Sequence, residues 1–254
     1  MSPAGAPGAP DLSGQVAFVT GAARRLGRHL ALTLARAGAD VVVHFNTSKE
    51  EADGVVREIE RLGRRAWSVQ AEFQDPAAVE AMMRAIAGLV PKLSIVVNNV
   101  GNYLVKPIED TTADEWRELM ETNLFAPVGI VRAALPLFTG EGGAVINLGY
   151  AGVEHVAVST RAAAYQASKT ALYLATKAFA RSLAPRGIRV NMISPGQLEN
   201  SVDLPPDLSR VIPLGRPGTL DDIAKTMLFL LDPTSYVTGV NIDVAGGYRL
   251  GMVD

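Results

Sequence analysis

The architecture of this chain is set by one stretch near its start, Val16-Ala17-Phe18-Val19-Thr20-Gly21-Ala22-Ala23-Arg24-Arg25-Leu26-Gly27. Its first five residues form a short apolar run with β-branched side chains, which is typical of a buried strand. Gly21 lets the chain turn sharply, and Gly27 permits close packing of the next element. Arg28 to Ala37 follow with an amphipathic pattern that ends at Gly38. The stretch therefore predicts a strand, a glycine turn and a helix.

The same alternation of apolar strand and helical pattern continues along the chain. We predict strands at 16–20, 41–45, 66–70, 93–97, 144–148, 188–193 and 240–244. We predict helices at 28–37, 49–62, 76–89, 112–137, 165–183 and 220–231, with a kink or break at Pro127. Buried strands that alternate with helices imply parallel pairing, right-handed connections and helices on both faces of the sheet. The predicted fold class is therefore α/β, a three-layer Rossmann fold with a doubly wound, parallel, seven-stranded sheet.

Composition limits the classes of function. The 254 residues are 48% hydrophobic and 20% charged, as in an ordinary globular protein, and a net charge of −2 gives no reason to expect nucleic acid or an acidic membrane as a partner. The absence of cysteine excludes disulfides, thiolate zinc sites and a cysteine nucleophile, and no metal site is predicted. No apolar run approaches the roughly 20 residues of a membrane span, and no signal peptide is recognisable. We therefore expect a cytoplasmic protein.

The composition also changes along the chain. Residues 1–10 contain only Met, Ser, Pro, Ala and Gly, which bury too little apolar surface to offset the entropy of ordering. We predict a flexible tail over residues 1–13. Because no low-complexity linker interrupts the later alternation, we predict a single domain over residues 14–254.

A tyrosine and a lysine stand one helical turn apart in Tyr165-Gln166-Ala167-Ser168-Lys169. Positions i and i+4 of a helix share a face, so the ammonium of Lys169 can lie near the phenol of Tyr165. A nearby cation favours the phenolate and lowers the pKa of a tyrosine, which makes the side chain a better general acid or base. Solvated helix faces also carry such pairs by chance, so the interpretation depends on the rest of the chain.

The glycine turn and the second strand together indicate a dinucleotide site. The N-terminus of the helix after the turn offers backbone N–H groups to a pyrophosphate. A site for NAD usually has an acidic residue after the second strand, whereas this chain has His44-Phe45-Asn46-Thr47-Ser48-Lys49. Arg24, Arg25 and Lys49 offer cations that suit the 2′-phosphate of NADP. We therefore predict NADP(H), with ordinary solvated charges as the alternative explanation of these three residues.

Several motifs, in the expected order, resemble the short-chain dehydrogenase/reductase family over nearly everything from residue 15 to 247. The glycine turn resembles the family's cofactor turn, with Arg25 where a middle glycine is usual. Asn98-Asn99-Val100-Gly101 resembles its Asn-Asn-Ala-Gly segment, and Tyr165 and Lys169 match its catalytic pair. The remaining matches are Asn123, Ser194-Pro195-Gly196, Tyr236-Val237-Thr238-Gly239 and Ala245-Gly246-Gly247.

The resemblance implies a mechanism and a set of site residues. Tyr165 would donate a proton to a carbonyl oxygen as NADPH delivers hydride to the carbon. Lys169 would tune Tyr165 and hold the nicotinamide ribose, and Asn123 would support a relay water. The implied cofactor-binding residues are Gly21, Arg24, Arg25, Leu26, Gly27, His44, Asn46, Thr47, Ser48, Glu72, Phe73, Asn99, Gly101, Tyr165, Lys169, Pro195, Gly196 and Asn200. The family also makes a homotetramer the expectation, because its helices matching 112–137 and 165–183 usually pack between subunits.

One residue typical of the family is missing. Family members usually have a serine just after the fifth strand, which hydrogen-bonds the substrate oxygen. Motif alignment puts Tyr150 at that position and direct counting puts Gly152 there. The Tyr150 hydroxyl is the candidate substitute, and Ser159 and Thr160 rank lower because they lie closer to the helix start. Loss of one such donor typically costs about 100- to 1000-fold in rate. The alternative to a reductase is therefore an NADP(H)-binding protein with a regulatory or binding role.

The substrate, expected to be a small molecule, is less well defined. Candidates for its pocket lie in loops after strand carboxyl ends: Tyr103, Tyr150, His155 and Gln197. The Arg-Arg-Leu-Gly turn and the missing serine resemble pteridine reductases and dihydromonapterin reductases, which favours a carbonyl or a pterin-like C=N bond. Pteridine reductases have aspartate in place of the serine, and this segment has none before Glu154. A 3-oxoacyl carrier protein reductase or a sugar or steroid reductase remains an alternative. Residues 201–210 are expected to form a mobile lid.

Overall fold

The computed structural model describes residues 10–140, 142–155, 159–201, 204 and 207–248, which form one sheet between two layers of helices. The strands are β1 Val16–Val19, β2 Asp40–Phe45, β3 Ala66–Gln70, β4 Ile95–Asn98, β5 Gly143–Leu148, β6 Ile188–Pro195 and β7 Asn241–Val244. The helices are α1 Arg25–Arg36, α2 Lys49–Arg61, α3 Pro76–Leu89, α4 Ala113–Met120, α5 Ala126–Ala134, α6 Ala163–Leu183 and α7 Leu220–Leu231. None of the described helices is both long and apolar enough to cross a membrane.

The sheet has the order β3-β2-β1-β4-β5-β6-β7, and every neighbouring pair is parallel. This confirms the predicted seven-stranded, doubly wound arrangement. The strand order reverses between β1 and β4. In open α/β sheets a ligand binds at such a switch point, outside the carboxyl ends of the strands.

Two hydrophobic cores cover the two faces of the sheet. Neighbouring residues of β1 serve different cores, because successive side chains of a strand point to opposite faces. Val19 packs in one core with residues of α1, α2 and α7. Phe18 packs in the other with residues of α3, α5 and α6. A strand buried on both faces needs apolar residues at every position, which explains its continuous apolar run.

The helix predicted at 112–137 is divided in the structure. A π-helical turn, Glu121–Phe125, separates α4 from α5, and a 3₁₀ turn, Leu135–Leu137, follows α5. Pro127 has no N–H to donate to the carbonyl of Asn123, four residues earlier, so the regular α-helical ladder cannot continue through this point. The predicted kink is therefore a wider helical turn that contains Asn123.

The folded part of the chain begins earlier than predicted. Leu12 is fully buried in the core, and its backbone N–H donates to the carbonyl of Ala37 at 2.7 Å. Residues 10–13 thus belong to the packed domain, because one large apolar side chain is enough to anchor them. The rest of the predicted tail, residues 1–9, lies outside the described part of the chain.

Candidate active site

The glycine turn lies at the carboxyl edge of the sheet, between β1 and α1. A Cβ atom on Gly27 would overlap the carbonyl oxygen of Gly21, and one on Gly21 would lie 2.8 Å from Cγ2 of Val100. Neither distance leaves room for a side chain, so both positions require glycine. The tight turn brings the N-terminus of α1, at Leu26 and Gly27, to the edge where its N–H groups can bind phosphate oxygens.

Thr20 joins this turn to the segment after β4. Its hydroxyl accepts hydrogen bonds from the N–H groups of Asn99 and Val100 at 2.9 and 3.0 Å. The side-chain amide of Asn99 donates to the Thr20 carbonyl at 2.9 Å. At Gly101, a Cβ atom would lie 2.8 Å from Nζ of Lys169. The predicted Asn99 and Gly101 segment therefore lies between the glycine turn and Lys169.

The two arginines of the turn diverge. Arg24 forms an ion pair with Glu51 in the first turn of α2, and its side chain is 60% exposed. Arg25 extends toward β6, where its guanidinium donates to the backbone carbonyl of Asn200. Arg25 also has a φ of +49°, in the left-handed region that favours glycine. Of the two arginines, only Arg24 thus lies on the side of β2, where a 2′-phosphate would bind.

The end of β2 is polar and open. Asn46 and Thr47 are exposed, and Ser48 precedes α2. The Asn46 amide donates to the carboxylate of Glu72, which follows β3. Lys49, the third predicted cation, pairs with Asp53 at 2.7 Å one turn along α2.

His44 and Phe73, predicted to bind the cofactor, lie beneath this surface and are 2% and 4% exposed. Nδ1 of His44 accepts from the N–H of Gly21 at 3.0 Å, so Nε2 carries the proton and donates to the carbonyl of Ala71 at 3.1 Å. Phe73 stacks on the imidazole with a centroid separation of 4.4 Å. Burial lowers the pKa of His44 to about 4, so the ring is neutral near neutral pH. With both ring nitrogens engaged, His44 supports the glycine turn from below.

Tyr165 and Lys169 occupy the first turns of α6. Lys169 is 3% exposed, and its Nζ donates to the carbonyl of Leu148 at 2.8 Å. Burial lowers the pKa of Lys169 to about 8, so the ammonium is still mostly charged at neutral pH. Tyr165 lines an open cleft of about 260 Å³ on the same side of the sheet. A phenol that faces a cleft, with a buried cation one turn behind it, is suited to proton transfer.

Asn123 lies in the π-helical turn and is fully buried. Its side-chain amide donates to the carbonyl of Asn102 and to Oγ of Ser168, both at 3.0 Å. Its Oδ1 accepts from the N–H of Asn102 at 2.8 Å. The side chain thus clamps the loop after β4 to α6. Its backbone carbonyl has no α-helical donor, because Pro127, four residues later, lacks an N–H.

The loop after β5 resolves the two alignments of the missing serine. Tyr150 lines the cleft, and its ring centroid lies 5.8 Å from that of Tyr165. The N–H of Gly152 donates instead to Asp243 at 2.8 Å. The Ser159 hydroxyl accepts from the backbone at the start of α6, and Thr160 is exposed. Tyr150 is therefore the residue of this set that lines the cleft.

The described residues that line the cleft are Tyr103, Tyr150, Ala151, Ala162, Tyr165, Gln166, Pro195, Gly196, Gln197, Ser201 and Tyr248. Three of the four predicted substrate residues are among them. His155 is exposed and does not line the cleft, because its loop carries the side chain outward. Sequence reasoning missed Gln166 and Tyr248. The Ala245-Gly246-Gly247 turn after β7 was a usable signal for Tyr248, whereas nothing in the sequence indicated Gln166.

The segment after β6 forms the remaining wall. A Cβ atom on Gly196 would lie 2.8 Å from Cβ of Ala245, so this turn also requires glycine. In the predicted lid, Leu208–Arg210 form a 3₁₀ turn. Val202, Asp203, Pro205 and Pro206 lie outside the described residues.

Comparison with known proteins places this site in a family. The family profile described as enoyl-(acyl carrier protein) reductase matches residues 21–249. A 3-oxoacyl-[acyl-carrier-protein] reductase of Staphylococcus aureus is 36% identical over 243 residues, which cover 91% of this chain and 96% of the relative.

Two solved structures share the fold. A blue fluorescent protein from a metagenomic library, in complex with NADPH, is 36% identical with a TM-score of 0.87, covering 94% of this chain and 99% of that one. The landomycin C-6 ketoreductase LanV, with bound NADP and rabelomycin, is 34% identical with a TM-score of 0.85, covering 95% and 99%. These likenesses, over nearly the whole chain, show that the protein belongs to the short-chain dehydrogenase/reductase family of oxidoreductases.

Proposed function

We propose that the protein is an NADPH-dependent reductase of a carbonyl compound, with Tyr165 as the proton donor. The observation that carries the proposal is the position of Tyr165, which lines the cleft while buried Lys169 stands one helical turn behind it. A substrate oxygen bound in the cleft would therefore lie next to the Tyr165 side chain. The ammonium is held by the Leu148 carbonyl in a place where it would stabilise the phenolate left after proton donation.

The residues present fit NADP(H). Gly21 and Gly27 allow the tight turn that brings the N-terminus of α1 to the sheet edge, where its N–H groups would bind a pyrophosphate, and two structural relatives contain NADPH or NADP. The segment from His44 to Lys49 at the end of β2 contains no carboxylate, and Arg24 pairs with Glu51, which it would exchange for a 2′-phosphate. When bound, the reduced nicotinamide would supply the hydride. Tighter binding of NADH than of NADPH in a direct titration would contradict this assignment.

Tyr150 would complete the site by donating a hydrogen bond to the substrate oxygen. It lines the same cleft as Tyr165 and occupies the loop where related enzymes usually have a serine. A phenol is longer than a hydroxymethyl group, so Tyr150 would bind the substrate oxygen from farther away and narrow the cleft. Asn123 would hold the loop after β4 in place while its backbone carbonyl supports a relay water.

Two alternatives have specific support. The Staphylococcus relative is a 3-oxoacyl-[acyl-carrier-protein] reductase, which favours an acyl thioester substrate. The absence of the usual serine favours a protein that binds NADP(H) with little or no catalysis. Reduction of a pterin-like C=N bond, with Tyr165 protonating nitrogen, is a variant of the main proposal.

The test is NADPH oxidation by the purified protein with a linear ketone, a cyclic ketone, a 3-oxoacyl thioester and a dihydropterin. We expect turnover of a ketone, and a loss of about 100-fold or more in kcat for Tyr165→Phe, measured with the variant saturated with NADPH. Tyr173→Phe is the matched control, because Tyr173 lies on the same helix and its hydroxyl donates to Glu154 at 2.6 Å. Binding of NADPH with no turnover of any substrate would favour the non-catalytic alternative.

A further inference from the structure

We infer that the cleft takes an uncharged, flat, fused-ring ketone that stacks on Tyr103; the inference rests on the reductase function proposed above. Three loops at the carboxyl edge each contribute a tyrosine to the cleft around Tyr165: Tyr103 after β4, Tyr150 after β5 and Tyr248 after β7. Aromatic side chains bind flat apolar rings by stacked or edge-to-face contacts.

Tyr103 is the most exposed of the tyrosines that line the cleft. Its ring centroid lies 4.8 Å from that of Tyr165, with the two planes at 85°, and the residue is 60% exposed. Tyr150 lies on another side of Tyr165, tilted by 48°. A flat ring held against Tyr103 would remove apolar area from water and bring a carbonyl on that ring toward the Tyr165 hydroxyl.

Charge excludes other classes of substrate. Every described residue that lines the cleft is uncharged. Lys169 is buried and donates to Leu148, so it cannot reach a distant anionic group. A phosphate or carboxylate drawn into the cleft would lose hydration without gaining a cationic partner among the described lining residues. This argues against substrates whose anionic groups must enter the cleft.

A pterin fits less well than a ketone. Its aminopyrimidine edge carries adjacent N–H donors that a carboxylate satisfies best. No carboxylate lines the cleft within the described part of the chain. Two acidic residues near the β5 loop are engaged elsewhere: Glu154 accepts from Tyr173 at 2.6 Å, and Asp243 accepts from Gly152 at 2.8 Å.

The size of the cleft limits the ring system. Its volume of about 260 Å³ lies just below the roughly 300 Å³ at which pockets for drug-sized ligands begin. It therefore suits one or two fused rings. In the reaction, a bound reduced nicotinamide would supply a hydride, with its two electrons, to the carbonyl carbon and would itself be oxidised. Tyr165 would give a proton to the carbonyl oxygen, and the product would be a secondary alcohol.

The test compares 2-tetralone, a fused-ring ketone, with 2-decalone, its saturated counterpart, and linear 2-octanone, using NADPH and the full chain. We expect kcat/KM to be highest for 2-tetralone. Tyr103→Leu should lower kcat/KM about 3- to 10-fold more for 2-tetralone than for 2-octanone, mainly through KM. Tyr103→Phe keeps the ring and should keep the preference for 2-tetralone over 2-octanone.

The possible outcomes test the fused-ring inference separately from the proposed reductase function. If the protein prefers 2-octanone, or if Tyr103→Leu affects both ketones equally, the fused-ring substrate class is wrong. Either result would still support the reductase function. Preference for a dihydropterin would overturn the choice of a ketone. Binding of 2-tetralone to Tyr165→Phe loaded with NADPH tests the ring class without turnover. If Tyr103→Leu weakens this binding of 2-tetralone, the fused-ring substrate class is supported. If 2-tetralone does not bind at all, that substrate class is overturned.

Discussion

At the scale of single residues, Tyr150 and His44 shape the site in different ways. Tyr150 lines the cleft from the loop after β5. His44 connects two loops from beneath, through the N–H of Gly21 and the carbonyl of Ala71. Neither role follows from residue type alone, because each depends on contacts with residues distant in sequence.

If Tyr150 donates to the substrate oxygen, Tyr150→Phe should lower kcat by about 100- to 1000-fold, the usual cost of losing one such donor. NADPH affinity should stay the same, because the ring is kept. Steady-state kinetics and a cofactor titration check this. Unchanged kcat in Tyr150→Phe would show that Tyr150 only shapes the cleft.

Replacing His44 should weaken cofactor binding, although His44 lies beneath the glycine turn and would not contact the cofactor itself. His44→Leu leaves the N–H of Gly21 without its acceptor, and we expect roughly tenfold weaker NADPH binding, measured by fluorescence titration. His44→Asn restores an acceptor near Nδ1 and should bind NADPH within about twofold of the wild type. Equal weakening by both variants would contradict this bridging role.

His44 also predicts a dependence of stability on pH. Its pKa is lowered from 6.5 to about 4 by burial, so between these values the unfolded chain binds more protons than the folded one. The stability contributed by neutral His44 is complete above pH 6.5 and is lost as pH falls toward 4. Urea unfolding at several pH values should show a smaller acid-induced loss for His44→Asn. Glu72, the charged neighbour of the ring, opposes the shift only in part.

At the scale of elements, the π-helical turn between α4 and α5 positions Asn123. Pro127 cannot donate to the Asn123 carbonyl, so the turn widens there and the side chain reaches both Asn102 and Ser168. The glycine turn shows the same principle. Gly21 and Gly27 are required by backbone contacts that a Cβ atom would block.

Pro127→Ala restores the missing N–H and allows a regular helix through this segment. We expect kcat to fall by roughly tenfold because Asn123 shifts, while thermal stability stays equal or rises. Pro136→Ala is the matched control, since Pro136 lies in the 3₁₀ turn Leu135–Leu137 beyond α5. Equal activity of the two variants would show that the π-helical turn is not needed for turnover.

At the scale of the whole molecule, the homotetramer remains a prediction. Phe125, beside α5, and Leu174, on α6, are 52% and 62% exposed, on the two helical segments expected to pack between subunits. Light scattering should give four times the chain mass of 26.9 kDa. Leu174→Glu should lower that mass by placing a charge in the contact, whereas Arg61→Glu, at an exposed position of α2 outside the two segments, should not. A monomeric wild type would refute the expectation.

The sequence by itself determined the fold class, the number of strands and the position of the glycine turn. Each of these follows from local periodicity and from residues such as Gly21, whose backbone freedom is a property of the residue itself. The pair Tyr165 and Lys169 was also recognisable, because residues four apart on a helix share a face.

The tertiary structure alone decided which groups meet. Arg24 and Arg25 are adjacent in sequence, yet one pairs with Glu51 and the other reaches Asn200. The same holds for the burial of His44, the exposure of His155 and the approach of Tyr248 to the cleft. These contacts join loops separated by many residues, and they form only when the parallel sheet brings the carboxyl ends of its strands to one edge.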